Sequence, residues 1–329
     1  MAAQFSELTW SRTIIMKKVM IILTVISMST LANDSTGYVA TGGVQYLKNK
    51  DVQMLSEDLL ISKKIIQVDY QFKNLSPRDI TETILFPLPK IENFFESDFA
   101  DTERLLKSFK VQINGKSIQP DMHVRTFIQK DEKSAPIDLT VAFKECGFTE
   151  KEMLNPWNRQ DYEYETFETK LRNCKNTELQ KALPKDKNEV ITWSAQVIYS
   201  WKQTFKANAL TRVQHKYAPL VGGSVALYPE EDIKTYCMDQ NFKAGLKKAK
   251  SQHAPYQALG YILKTGANWA KPKPIQNFKL TIERDSNELV SFCWEGDVKK
   301  ISPTQFQMVE KDFVPKQDLE IIFVRKFEE

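Results

Sequence analysis

Residues Ile65–Pro89 read IIQVDYQFKNLSPRDITETILFPLP, and this stretch decides the fold class. Ile66, Val68, Tyr70 and Phe72 alternate with Gln67, Asp69, Gln71 and Lys73. A period of two puts the apolar set on one face of a strand and the polar set on the other. Asn74–Asp79 gathers Asn, Ser, Pro and Asp, which favour turns through local hydrogen bonds and the fixed φ of proline. Ile80–Phe86 returns to β-forming residues. Pro87 and Pro89 close the run, because proline has no N–H to give to a ladder. The reading is strand, turn, strand: a central hairpin whose Ile66, Val68, Tyr70 and Phe72 face a core while Gln67, Asp69 and Gln71 face outward.

Working outward, Gly42–Leu47 and Val52–Ile61 read as extended segments leading into this hairpin, and Asp101–Ser108 as a short amphipathic helix. Phe109–Ile113 and Ser117–Val124 flank Asn114-Gly115, the dipeptide suited to a type I′ turn, in which both central residues need positive φ. From Ser134 the pattern turns helical, over Asp138–Lys144, Thr149–Leu154 and Asp161–Asn173, with Pro156 and Trp157 between the last two. Val190–Trp201 then places Ile191, Trp193, Ala195, Val197, Tyr199 and Trp201 on one face of a long strand. Leu210–Tyr217 is a second strand, and Pro229–Lys250 reads as mostly helix. Ala258–Leu263, Phe278–Glu283, Leu289–Trp294, Thr304–Val309 and Leu319–Phe327 are short strands separated by turn residues. The expected fold class is α+β and β-dominated, with antiparallel sandwich-like sheets and a helical insertion in mid-chain. The expected parts are a leader and signal peptide over 1–32, a β domain over 33–133, the insertion over 134–188 and a β-rich domain over 189–329.

The N-terminal order explains the first of these parts. Met16-Lys17-Lys18 is positive, Val19–Met28 is apolar, and Thr30-Leu31-Ala32 ends in small residues. That is the layout of a secretory signal peptide starting at Met16 and cleaved after Ala32. No later stretch is long and apolar enough to serve as a membrane-spanning helix. The expected location is therefore the periplasm or the extracellular medium. The four cysteines, Cys146, Cys174, Cys237 and Cys293, are an even set suited to an oxidising compartment. They allow three pairings; the sequential one, Cys146–Cys174 and Cys237–Cys293, closes the shorter loops and is the expected one. The chain carries 46 basic and 42 acidic residues, a net charge of +4, too even a balance to suggest nucleic acid or an anionic membrane as partner. Lys243, Lys247, Lys248 and Lys250 are expected on the solvated face of a helix that buries Phe242 and Leu246.

Motifs for common chemistries are missing. His123, His215 and His253 are far apart and no H-E-x-x-H occurs, so neither a zinc protease nor any metal site is expected. There is no G-x-S-x-G, no nucleotide-binding glycine loop and no C-x-x-C, so no cofactor is expected either. Glu57 and Asp58 are adjacent on a strand and point to opposite faces, so they cannot share a proton. Glu230-Glu231-Asp232 after Pro229 fits a helix start, where acids offset the dipole. His215 and Tyr217 lie two apart, so on a strand they share a face with Thr211 and Val213. They read either as a polar ligand cluster or, preferred here, as an imidazole and a phenol hydrogen-bonded at the edge of the core.

Several segments resemble the bacterial family called domain of unknown function 4424. They are TGGV (Thr41–Val44), MLSEDLLIS (Met54–Ser62), Tyr70, Phe72, Asn74, Asp79 and FPLP (Phe86–Pro89) in the first half. His215, Tyr217, Pro219, GGS (Gly222–Ser224), Tyr236-Cys237, TGANW (Thr265–Trp269), SFC (Ser291–Cys293), Pro303-Thr304 and Pro315 continue the likeness in the second. The resemblance implies an exported protein of Gram-negative bacteria and assigns no activity. It also supports pairing Cys237 with Cys293, since both sit in family-like segments. The N-terminal stretch is similar, as a fold analogy, to the β-sandwich domain of vault-protein inter-alpha-trypsin type.

The functional expectation is an exported, non-catalytic binding or interaction protein whose partner is a protein, glycan or lipid. His215, Tyr217 and Trp269 are its candidate binding residues. The alternative is a secreted hydrolase with a site near His215 that no motif marks.

Overall fold

The computed structural model describes residues 35–40, 43–47, 50–88, 90, 102–131, 134–154, 161–186, 188–228, 233–269 and 273–327. The signal peptide expected over 1–32, and Thr41, Gly42, Pro89, Pro156, Trp157 and 229–232, lie outside them. In chain order the first strands are β1 Ser35–Ala40, β2 Gly43–Leu47, β3 Val52–Ile61, β4 Ile66–Asn74 and β5 Ile80–Pro87. Helix α1 Thr102–Ser108 precedes β6 Lys110–Ile113, β7 Lys116–Ile118, β8 Asp121–Ile128 and β9 Ile137–Asp138. The insertion holds α2 Thr140–Glu145, α3 Glu150–Met153, α4 Asp161–Asn173 and α5 Thr177–Ala182. Then come β10 Ser194–Phe205, β11 Leu210–Tyr217, β12 Gly222–Ser224, α6 Gln240–Lys248 and β13 Tyr256–Tyr261. The chain closes with β14 Ile275–Glu283, β15 Glu288–Phe292, β16 Lys299–Lys300, β17 Gln305–Phe313 and β18 Leu319–Arg325.

These strands form three sheets, ordered β2-β1-β5-β10-β8-β9, β16-β17-β14-β3-β4-β11-β6-β7 and β12-β13-β18-β15. The molecule is β-dominated, as its period-two segments require, with mostly antiparallel pairing; β14 against β3 is a parallel pair. The first two sheets both draw strands from before and after the helical insertion. They pack face to face, and rings from the two meet: Phe72 of β4 lies 5.7 Å from Phe205 of β10, and Trp201 of β10 lies 5.4 Å from His215 of β11.

The central stretch forms both predicted strands, but they are not a hairpin. β4 pairs with β3 and β11 in the eight-stranded sheet, whereas β5 pairs with β1 and β10 in the six-stranded one. The turn between them is a corner from one sheet to the other. Asn74 makes it. Its amide donates to the carbonyls of Arg78 at 2.8 Å and Phe205 at 2.9 Å, and its Oδ1 accepts from the Ser76 N–H at 2.8 Å. The β10–β11 connection turns beside it, with Asn208 N–H donating to the Ser76 carbonyl at 3.1 Å. The predicted burial holds on β4: Ile66, Val68, Tyr70 and Phe72 are all at most 1% exposed.

Other boundaries moved for local reasons. Asn114 (φ 50°) and Gly115 (φ 78°) form the expected turn between β6 and β7, yet β8 leaves for the other sheet after Pro120. The helix expected over 229–250 is confined, among the described residues, to α6, where the Asp239 carboxylate caps the Phe242 N–H at 2.6 Å. It buries Phe242 and Leu246 on the outer face of the third sheet, under Ile322 and Val324. The alternate residues Leu319, Ile321 and Phe323 of β18 join the main core. Within the insertion, Thr149 and Glu152 form a capping box at the start of α3, and the Trp193 indole donates to the Met153 carbonyl at 3.0 Å. Cys146 is bonded to Cys174 with 5.5 Å between Cα atoms, tying the end of α2 to the end of α4.

Candidate cleft at the junction of two sheets

The structure places all three candidate binding residues in the interior. His215 is 0% exposed, so it sits not at the edge of the core but at its centre. The rings of Phe86, Trp201 and Tyr70 surround it at 4.8, 5.4 and 5.7 Å. Burial among these rings pushes the imidazole pKa down to about 3, because the charged form loses its hydration. Tyr217 packs on Phe109 at 5.7 Å and Phe86 at 5.8 Å, and Trp269 on Phe72 at 4.7 Å. The three therefore join one aromatic layer between the sheets. A neutral imidazole sealed there reaches no substrate in this conformation. His123 and His253 lie elsewhere, at 2.8 Å from Ser200 Oγ and 3.2 Å from the Leu227 carbonyl. Among the described residues no group of three or more His, Cys, Asp or Glu side chains is arranged to hold a metal. As expected, Glu57 and Asp58 face opposite ways: Glu57 is buried, and Asp58 pairs outside with Lys279 at 2.5 Å.

An open cleft of about 410 Å³ lies where the end of β17 meets the chain leaving β15. Its floor is aromatic. Phe313 stacks on Phe278 with centroids 4.3 Å apart, and Trp294 lies 5.7 Å from Phe313 and 5.8 Å from Phe278, all within 29° of parallel. Leu263 and Val314 extend the apolar lining. Three local devices hold this geometry. Cys293, next to Trp294, is bonded to Cys237 with Cα atoms 5.0 Å apart, which fixes the strand exit. Gly296 takes φ 132°, and a Cβ there would stand 2.7 Å from Glu310 Oε1 and 3.3 Å from Trp294 Nε1. Only glycine lets the Glu310 carboxylate lie that close to the chain beside the indole. Asp312 has φ 51°, a left-handed conformation that aspartate tolerates, and it interrupts the regular strand just before Phe313.

The rim is charged and unevenly paired. Lys316 lies 3.7 Å from Glu295, and the Lys311 ammonium donates to Asn277 Oδ1. Glu310 and Asp312 have no ion pair or hydrogen bond of their side chains among the described residues. Trp294 Nε1 is buried, also with no hydrogen-bond partner there. The sequence does carry a signal for this place in Cys293-Trp294-Glu295-Gly296-Asp297, a large ring and a glycine between acids straight after a strand. What it lacks is the juxtaposition with Glu310 and Phe313, which comes from a different sheet.

Comparison with known proteins sets this site in context. No curated protein matches the chain. Among solved structures, a protein of Legionella pneumophila described as a "putative nutrient binding protein" is similar at 14% identity and a TM-score of 0.41, over 88% of this chain and 69% of that one. Yeast LTA4 hydrolase in complex with bestatin is similar at 12% identity and a TM-score of 0.31, over 85% of this chain and 30% of that one. The family model described as Domain of unknown function (DUF4424) matches residues 32–322. That match covers most of the sequence, including the cleft and both disulfides, and the chain belongs to the DUF4424 family.

Proposed function

We propose that this chain is an exported, non-catalytic binding protein whose ligand occupies the cleft floored by Trp294 and Phe313. The observation that carries the reading is the cleft itself: an apolar, aromatic floor with polar groups confined to the rim. Its size falls in the range of small-ligand pockets, roughly 300–1,000 Å³, and flat rings near a junction of sheets suit a glycan, a peptide side chain or an amphipathic small molecule. Export is supported by the positive–apolar–small order of Met16–Ala32 and by two disulfides, which persist in oxidising compartments.

Fractionating the native host and sequencing the mature N-terminus tests export. The expected result is periplasmic or secreted protein starting at Asn33; a cytosolic chain that retains Met16–Ala32 contradicts it. Native mass spectrometry of that protein tests the cleft. Wild type is expected to carry a small-molecule or peptide adduct that Trp294→Ala loses, and an identical adduct profile in both contradicts the assignment.

A further inference from the structure

We propose that the cleft selects a cation, a guanidinium or ammonium group borne on its ligand, which lies over the Trp294 and Phe313 rings and is held by Glu310 and Asp312. The inference rests on the binding reading above and adds the chemistry of the ligand. The rim carries three acids and two lysines, Glu295, Glu310, Asp312, Lys311 and Lys316. Lys316 lies 3.7 Å from Glu295, while Lys311 donates to the neutral amide of Asn277 and keeps its positive charge. The rim as a whole is negative by one charge, three carboxylates against two ammonium groups, and among the described residues Glu310 and Asp312 have no side-chain partner, at the mouth of a cleft whose floor is aromatic. Ring faces carry negative potential and attract a cation, more strongly where water is partly excluded. Glu310 is half-buried beside the indole, in the space that Gly296 leaves open. A cation between ring and carboxylate would gain both interactions together. An anionic ligand would meet a rim on which carboxylates outnumber ammonium groups, and a neutral one would leave Glu310 and Asp312 without a partner among the described residues. An arginine side chain fits both halves of the site, its planar guanidinium stacking on rings and donating to carboxylates.

Basic side chains of a peptide and a free polyamine both carry this chemistry. The test titrates the full chain by calorimetry with acetyl-tetraarginine amide, its citrulline counterpart, in which neutral ureas replace the guanidiniums, and spermidine. Wild type is expected to bind the arginine peptide or spermidine, and whichever is tighter names the source. The citrulline peptide is expected to bind at least about tenfold more weakly than the arginine peptide, in line with the loss of a charge-assisted contact. Glu310→Gln combined with Asp312→Asn is expected to weaken binding of the cation about tenfold, to narrow the gap between the arginine and citrulline peptides and to melt like wild type. Asparagine tolerates the left-handed backbone at residue 312.

Equal binding of arginine and citrulline peptides overturns the cation and leaves the cleft as a binding site. Failure of both the arginine peptide and spermidine to bind also overturns it. The adduct experiment on Trp294→Ala then judges the binding reading separately.

Discussion

At the scale of single residues, the interior and the cleft use aromatic groups in opposite ways. His215 is a buried ring among rings, and its cost is set by protonation. In the unfolded chain its pKa is about 6.5, whereas in the fold burial lowers it to about 3. Between those values the unfolded state binds a proton that the native state does not. The stability contributed by keeping His215 neutral is therefore complete above the unfolded pKa and is lost as pH falls toward 3. The slope approaches about 1.4 kcal/mol per pH unit within that window. Denaturant melts of wild type and His215→Leu from pH 7.5 to 4 check this. The variant is expected to gain stability relative to wild type as pH falls, and parallel curves would mean that the imidazole is hydrated. The alternation Thr211, Val213, His215, Tyr217 made the inward face legible. It could not say whether that face met a groove or a second sheet, because period two reports only which side is buried.

At the scale of elements, the lesson lies in the corner after β4. The sequence Asn74–Asp79 announces a turn, and a turn between two alternating strands reads as a hairpin. A hairpin and an inter-sheet corner share that local signature. What separates them is the Asn74 side chain, fully buried and donating to Arg78 and Phe205 while accepting from Ser76. Its contact to Phe205 spans 131 positions, so no local pattern contains it. Asn74→Ala leaves the buried Phe205 carbonyl without its partner, and the part-exposed Arg78 carbonyl and Ser76 N–H to water, and the expected cost is about 1–3 kcal/mol in chemical denaturation. A change under about 0.5 kcal/mol would show that the corner holds without the amide. Helix α4 was legible residue for residue because its ends are polar and its apolar positions periodic. Helix α5 and the short strands β12 and β16 were not: six, three and two residues long, they carry no alternation or helical period that marks them off from the loops around them.

At the scale of the whole molecule, the third sheet is attached to the sandwich by a contact that sequence reading passes over. The turn between β3 and β4 is closed by Ser62 Oγ, which accepts from the Ile65 N–H at 3.1 Å, and it projects Lys63 toward the third sheet. There the ammonium donates to Glu288 and, at 2.8 Å, to Gln257 Oε1, and it lies 5.8 Å from the Phe323 ring. The side chains of Lys63 and Glu288 are only 14% and 9% exposed, so breaking the pair strands a buried carboxylate. Lys63→Met is expected to cost about 3 kcal/mol, and Lys63→Met with Glu288→Leu to recover most of it. Additive losses in that double-mutant cycle would mean that the two groups do not depend on each other. This docking, with the loop pinned by Cys237–Cys293, brings Trp294 of one sheet beside Glu310 and Phe313 of another. The strands beside the cleft were therefore readable in part, since the one expected over Thr304–Val309 stops short of Glu310–Phe313, and their meeting was not readable at all.

The central claim is that the cleft, not the aromatic interior, receives the ligand. The most direct measurement is native mass spectrometry of three proteins purified from the native host: wild type, Trp294→Ala and His215→Leu. The predicted result is a ligand adduct on wild type and His215→Leu and none on Trp294→Ala, with the Trp294→Ala protein still folded. An adduct that survives Trp294→Ala and disappears with His215→Leu would contradict the account.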